Sequence, residues 1–104
     1  MLTEYQSSTP INKGKVLLDF YTTTCGPCRA MHPVLEEIAN EYKDLMVCKV
    51  DVLQNPDISQ QFGVMSVPTV VLMVDSKVQE ISNGFPGKSA LKSLVRKHVG
   101  APAS

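Results

Sequence analysis

The chain has 104 residues, 43% of them hydrophobic and 19% charged, with ten basic and ten acidic side chains. That length suits one domain, and a chain of this size buries roughly 60–70% of its unfolded surface, enough for a core without covalent staples. The formal net charge of +0 argues against nucleic acid or an anionic membrane as partner, since both select for clustered positive charge.

The opening MLTEYQSSTP has neither a basic start nor an apolar run, so no signal peptide is expected. No stretch approaches the roughly 20 apolar residues of a membrane span. The expectation is a cytoplasmic protein forming a single domain over residues 1–104. Leu2–Tyr5 reads as a short edge strand, and Ser7–Gly14, broken by Pro10, as loop or a single helical turn. Val16–Tyr21 (VLLDFY) is an apolar run with one acid inside it and reads as a buried strand. From about residue 26 to 42, apolar side chains at Met31, Val34, Leu35, Ile38, Ala39 and Tyr42 recur in steps of three and four, the pattern of an amphipathic helix. Pro33 inside it lacks an N–H and is expected to kink it.

Leu45–Val52 reads as a strand and Asn55–Phe62 as a short helix. Val70–Val74 and Lys77–Ser82 read as strands joined at Asp75-Ser76 by a hairpin turn. Ser89–Val99 carries Leu91, Leu94, Val95, His98 and Val99 on one face and reads as a closing helix. This order of elements implies an α/β domain, a mixed sheet covered by helices on both faces.

Cys25 and Cys28, in TTTCGPCRAMHP, fall after a buried strand and at the start of the long helix. Three cysteines do not suit a fully paired secreted framework. In a reducing compartment a close pair is more often catalytic or metal-binding than structural. At spacing i, i+3 both side chains share one face of the first turn, within reach of a disulfide. Such a bond closes a tiny loop and removes little unfolded-state entropy, so stabilisation is a poor reason for it. A zinc site needs two further ligands, and only Cys48, His32 and His98 are on offer, without a second close pair. A helix N-terminus presents free N–H donors and the positive end of a dipole, which stabilise a thiolate. Cys25, nearest that end, is therefore the candidate nucleophile, and Cys28, one turn deeper, the candidate resolving thiol. Pro27 fits the first turn, where the N–H groups have no intrahelical partner.

VLLDFYTTTCGPCRAMHPVLEEIANEY, then VDVLQNP, then SVPTVVLM resembles the thioredoxin family in that order, over most of the chain from Val16 to Val99. The resemblance implies a thioredoxin fold and a protein-disulfide reductase working through Cys25 and Cys28, with Gly26 and Pro27 completing the active-site motif. It implies no cofactor or metal beyond the redox-active disulfide. The implied partners are target proteins with disulfides and a thioredoxin reductase or equivalent electron donor, with no nucleic acid or membrane, and a monomer suffices. Asp19 is a lone carboxyl in a buried strand, where burial raises its pKa toward neutrality. The resemblance makes it the proton acceptor for Cys28 and places Lys49 near it. It also implies a cis Val67–Pro68 bond facing the cysteines, with Val67, Pro68 and Thr69 in substrate binding, and Gly84 bordering the same groove. The backbone of Val67 is then free to pair with an extended substrate segment.

Two departures stand out. The family usually has tryptophan immediately before the first cysteine; here it is Thr24, and the chain has no Trp. Thr24 then leaves a smaller, more polar substrate rim, and Tyr21 stands where the family usually packs another tryptophan. The segment before Val16 is short, so the family's N-terminal helix is expected shortened, cut back or lost. Cys48 reads as a silent core thiol, and His32 and His98 receive no role. The apolar rim of Gly26, Val67, Gly84 and Phe85 equally suits a non-enzymatic binding module.

Overall fold

Lys15–Tyr21 (β2) and Thr69–Val74 (β4) carry the two most continuous apolar runs, and residues buried on both sides belong at the centre of a sheet. The computed structural model describes residues 1–102 and places them there, in a five-stranded sheet completed by Leu2–Glu4 (β1), Leu45–Asp51 (β3) and Lys77–Asn83 (β5). The spatial order is β1-β3-β2-β4-β5. Strands β1, β3 and β2 run parallel, whereas β4 is antiparallel to both β2 and β5. The helices are Gly26–Glu41 (α1), Pro56–Gln61 (α2) and Lys88–Val99 (α3).

Side chains alternate across a strand, so the sheet supplies two cores. Leu17, Val47, Val70 and Leu72 pack against α1 and α3 through Met31, Leu35, Ile38, Leu91 and Val95. Val16, Leu18, Phe20, Cys48, Val50 and Val71 face the other way, toward Ile58 of α2. Helices therefore lie on both faces, as the order of elements implied. Helix α1 runs on through Pro33, whose ring lies on the exposed side. It is tied to α3 by Lys92 to Glu37 and Glu41, at 3.0 and 3.1 Å, and by Tyr42 Oη donating to the Gly100 carbonyl at 2.8 Å. The ion pairs are solvent-exposed, so water screens them and they add little to stability.

Of the outcomes expected for the N-terminal helix, shortened, cut back or lost, the structure shows the last: among the described residues no helix precedes α1. Residues Gln6–Thr9 form a turn closed by Thr9 N–H to the Gln6 carbonyl at 2.8 Å. Ser7, Ser8 and Thr9 compete for their own backbone, and Pro10 cannot donate within a helix. Tyr5 and Ile11 instead lay their side chains on the α2-side core, covering it without a helix.

The β4–β5 hairpin turns at Asp75 and Ser76, both at positive φ (48° and 74°), the backbone of a two-residue turn matched to strand twist. Asp75 locks the turn to the head of β2: Gly14 N–H donates to Asp75 Oδ1, and Asp75 N–H donates to the Gly14 carbonyl, both at 2.9 Å.

Phe20 is fully buried, its ring 5.8 Å from that of Phe62. Replacing it by alanine is expected to cost about 3–5 kcal/mol in urea unfolding. A loss below about 1 kcal/mol would contradict the packing described for this face.

Candidate active site

Strand β2 ends at Tyr21, and within four residues the chain enters α1. Cys25 is the N-cap of that helix, with extended backbone (φ −92°, ψ 115°) and a side chain that accepts from the Cys28 N–H at 3.1 Å. No acidic residue occupies the first turn. Cys25 is half-buried and Cys28 is 3% exposed. The two are joined in a disulfide with Cα atoms 5.2 Å apart. Thr22 is half-buried and Thr23, Thr24, Gly26 and Pro27 are exposed around them. Cys48, on the α2 side of β3, is free and buried, and burial pushes its thiol up to about 12.

Asp19 projects to the same side of β2 as Leu17, beneath α1. It is fully buried, and neither carboxyl oxygen has a hydrogen-bond partner among the described residues. Its strand neighbours are Lys49 on β3 and Val70 on β4. Burial raises its pKa from 3.8 to about 7; the Lys49 charge opposes the rise and Glu4 adds to it. Lys49 is half-buried, its ammonium 4.3 Å from the centroid of the Tyr21 ring. Tyr21 Oη donates to Glu4 Oε2 at 2.8 Å. Tyr21, Thr22, Cys28, Arg29, His32 and Lys49 line one pocket of about 380 Å³. It joins Cys28 to the polar row on the sheet.

On the other side of the cysteines, the register of β2 and β4 continues from the Phe20–Thr69 pair to bring Val67 and Pro68 beside the end of β2. The Val67–Pro68 bond is cis. Val67 is half-buried, and its N–H and carbonyl make no hydrogen bond among the described residues. Thr22, Val64, Met65 and Val67 share a depression of about 240 Å³, with Met65 97% exposed at its rim. Gly84, at φ +83°, donates its N–H to the Pro68 carbonyl at 2.7 Å and so joins the same end of the sheet. Thr69 points inward: it is buried, and its hydroxyl donates to the Ser66 carbonyl at 2.7 Å. Phe85, next to Gly84, is half-buried and packs on the α1–α3 core.

The larger cavity, about 620 Å³, is lined by Glu4, Tyr5, Ser7, Asp51, Asn55 and Asp57 and includes neither cysteine of the pair. His32 is the residue that sequence reasoning passed over. Its Nδ1 sits 3.0 Å from Lys49 Nζ. The available signal was its spacing: four residues after Cys28, it lies on the same side of α1. His98, by contrast, bonds Glu80 at 2.6 Å, away from the cysteines. Among the described residues no group of three or more His, Cys, Asp or Glu is placed to hold a metal ion.

A carboxyl whose pKa is higher folded than unfolded binds its proton more tightly in the folded state. Its contribution to stability is therefore present below the unfolded value near 4 and is lost as pH rises toward 7. The span from 3.8 to about 7 amounts to roughly 4 kcal/mol. Asp19→Asn is expected to gain stability relative to the parent as pH rises from 4 to 8, by up to about 4 kcal/mol in urea unfolding. A difference independent of pH would contradict a buried, unpaired carboxyl.

Residues 2–97 match the thioredoxin family model. The chain is 43% identical to the thioredoxin of Bacillus subtilis over 98 residues, covering 93% of this chain and 94% of that protein. It is 40% identical to the thioredoxin of Listeria monocytogenes over 99 residues, covering 94% and 96%. The structure of a point mutant of the thioredoxin from Halobacterium salinarum superimposes with a TM-score of 0.85 at 34% identity, covering 93% of this chain and 89% of that one. With a disulfide-linked Cys-Gly-Pro-Cys at the mouth of this sheet and relatives of this likeness along nearly its whole length, the chain belongs to the thioredoxin family and is a thiol–disulfide oxidoreductase.

Proposed function

We propose that this chain is a protein-disulfide reductase in which Cys25 is the nucleophile, Cys28 the resolving thiol and Asp19 the proton acceptor. The observation that carries the reading is the unequal placement of the two sulfurs. Cys25 is the half-buried cap at the helix start, with the Cys28 N–H aimed at its sulfur, whereas Cys28 is 3% exposed. Helix N–H donors and the dipole favour a thiolate at Cys25 once the pair is reduced.

The Cys25 thiolate attacks one sulfur of a target disulfide, forming a Cys25–target bond and breaking the target S–S bond. The departing target thiolate takes a proton from water. The Cys28 proton passes to the Asp19 carboxylate, and the Cys28 thiolate attacks the Cys25 sulfur, releasing the second target thiolate, which is protonated in turn. Two electrons leave the pair with two protons, one released to solvent when Cys25 ionises and one passed from Cys28 through Asp19; the target is reduced and Cys25–Cys28 is oxidised. A pKa near 7 lets Asp19 accept a proton and return it at neutral pH. The nearby Lys49 charge favours the ionised form of Asp19.

Substrate docks across the cysteine rim. The free N–H and carbonyl of Val67 support pairing with an extended target segment, a form of strand addition. Pro68 and Gly84 frame that edge, and Gly26, Pro27 and Thr24 border it on the helix side. The buried Thr69 acts by fixing the Ser66 carbonyl rather than by touching substrate. The 104 residues act as one cytoplasmic, monomeric domain without a cofactor or metal. Partners are disulfide-containing proteins and a separate reductase that re-reduces the pair; no nucleic acid or membrane is needed.

Cys28→Ser is expected to accumulate a covalent mixed disulfide with a protein target, seen by non-reducing electrophoresis and mass spectrometry, and Cys25→Ser to form none. Trapping through Cys28 in the Cys25 variant would reverse the assignment. Asp19→Asn is expected to slow disulfide reduction on the order of 10²-fold at neutral pH, and an unchanged rate would remove Asp19 from the mechanism.

A further inference from the structure

His32 lies one turn beyond Cys28 on α1, half-buried, with Nδ1 3.0 Å from Lys49 Nζ and Nε2 3.4 Å from Glu36 Oε1. A lysine ammonium has only donors, so Nδ1 accepts the hydrogen bond. The proton of the neutral ring then sits on Nε2 and faces the Glu36 carboxylate, which holds the imidazole in that orientation. Glu36, His32 and Lys49 thus form a chain from the outside of α1 to the sheet.

Lys49 has no carboxylate ion-pair partner among the described residues, and His32 Nδ1 is its one hydrogen-bonding partner there. Its head also rests on the Tyr21 ring at 4.3 Å. It is the strand neighbour of Asp19, and its charge acts on that carboxyl. A lysine with a flexible stem normally extends its head into water, and holding it in one rotamer costs conformational entropy. Tyr21 and His32 are what oppose that escape, and His32 is the one that supplies a directed acceptor.

We propose that His32 is a positioning residue: its imidazole holds the Lys49 ammonium folded over the Tyr21 ring, on the side of the buried Asp19, and so keeps the cation acting on that carboxyl. The consequence for turnover rests on the reading of Asp19 as the proton acceptor for Cys28. The charged and titratable groups around the tether are Arg29 and Glu36 from α1, Tyr21 from β2, Asp51 from β3 and Glu4 from β1. Protonation of His32 removes the acceptor and sets two cations against each other, so the tether holds only with the neutral ring.

The test reads the Asp19 side-chain carboxyl carbon by NMR across pH, in the full-length oxidised protein, where the disulfide keeps Cys25 and Cys28 from titrating. His32→Ala is expected to raise the Asp19 midpoint by about half a pH unit or more, because burial then acts with less opposition from Lys49. Lys49→Met is expected to raise it as well, and in the Lys49→Met background His32→Ala is expected to add nothing. Thermal unfolding of each variant checks that the fold is kept. An unchanged or lowered midpoint in His32→Ala, or the same rise in the Lys49→Met background, would overturn the proposal. Failure of the Asp19 reading is distinct: Asp19→Asn would then reduce target disulfides at the parent rate while the NMR shifts stood.

Discussion

Burial of β2 on both faces sets the terms for everything at the site. Val16, Leu18 and Phe20 fill one side and Leu17 the other, each fully shielded from water. Asp19 sits in that same strand and shares the Leu17 side, so the packing that holds the sheet together also strips a carboxyl of solvent. The cost of an unpartnered carboxylate there is what lifts it toward neutrality. The same strand delivers the chain to Cys25 after a short loop, so sulfur, helix start and raised carboxyl are positioned by one element.

The chain has no tryptophan, and the polar row at the α1 side of the sheet is built around Tyr21, Lys49 and His32. Tyr21 offers Lys49 an aromatic face and spends its hydroxyl on Glu4. Lys49 is drawn to His32 rather than paired with a carboxylate. Threonines fill the positions before Cys25, with Thr23 and Thr24 exposed, leaving an open pocket beside the buried Cys28. The thiol pair sits at the helix start, joined in a disulfide, with these residues around it.

The sheet and helices were legible because their signals are local: VLLDFY and VVLMV are short apolar runs that read as buried strands, and Met31 to Tyr42 repeats at helical spacing. The pair of cysteines at a strand-to-helix junction was equally plain. The hairpin was readable at Asp75-Ser76, residues that the turn holds at positive φ. The N-terminal segment was harder. Pro10 and the Ser/Thr run signalled a helix cut back or lost but not what replaces it; Tyr5 and Ile11 cover the core there. Thr69 looked like a groove residue from its place in SVPTV, yet β4 begins there and turns its side chain inward. The His32–Lys49 contact joins a helix to a strand 17 residues away, and no local pattern reports how the helix is rotated over the sheet.

The central claim is that Cys25 and Cys28 form a reducing couple. The most direct measurement is their equilibrium reduction potential, from poised thiol buffers followed by alkylation and mass spectrometry with Cys48 as the internal unreacted thiol. A potential well below the glutathione poise of roughly −220 to −260 mV is expected, since about 30 mV changes this two-electron balance tenfold. A potential at or above that poise would contradict a protein-disulfide reductase and mark the pair as an oxidising one.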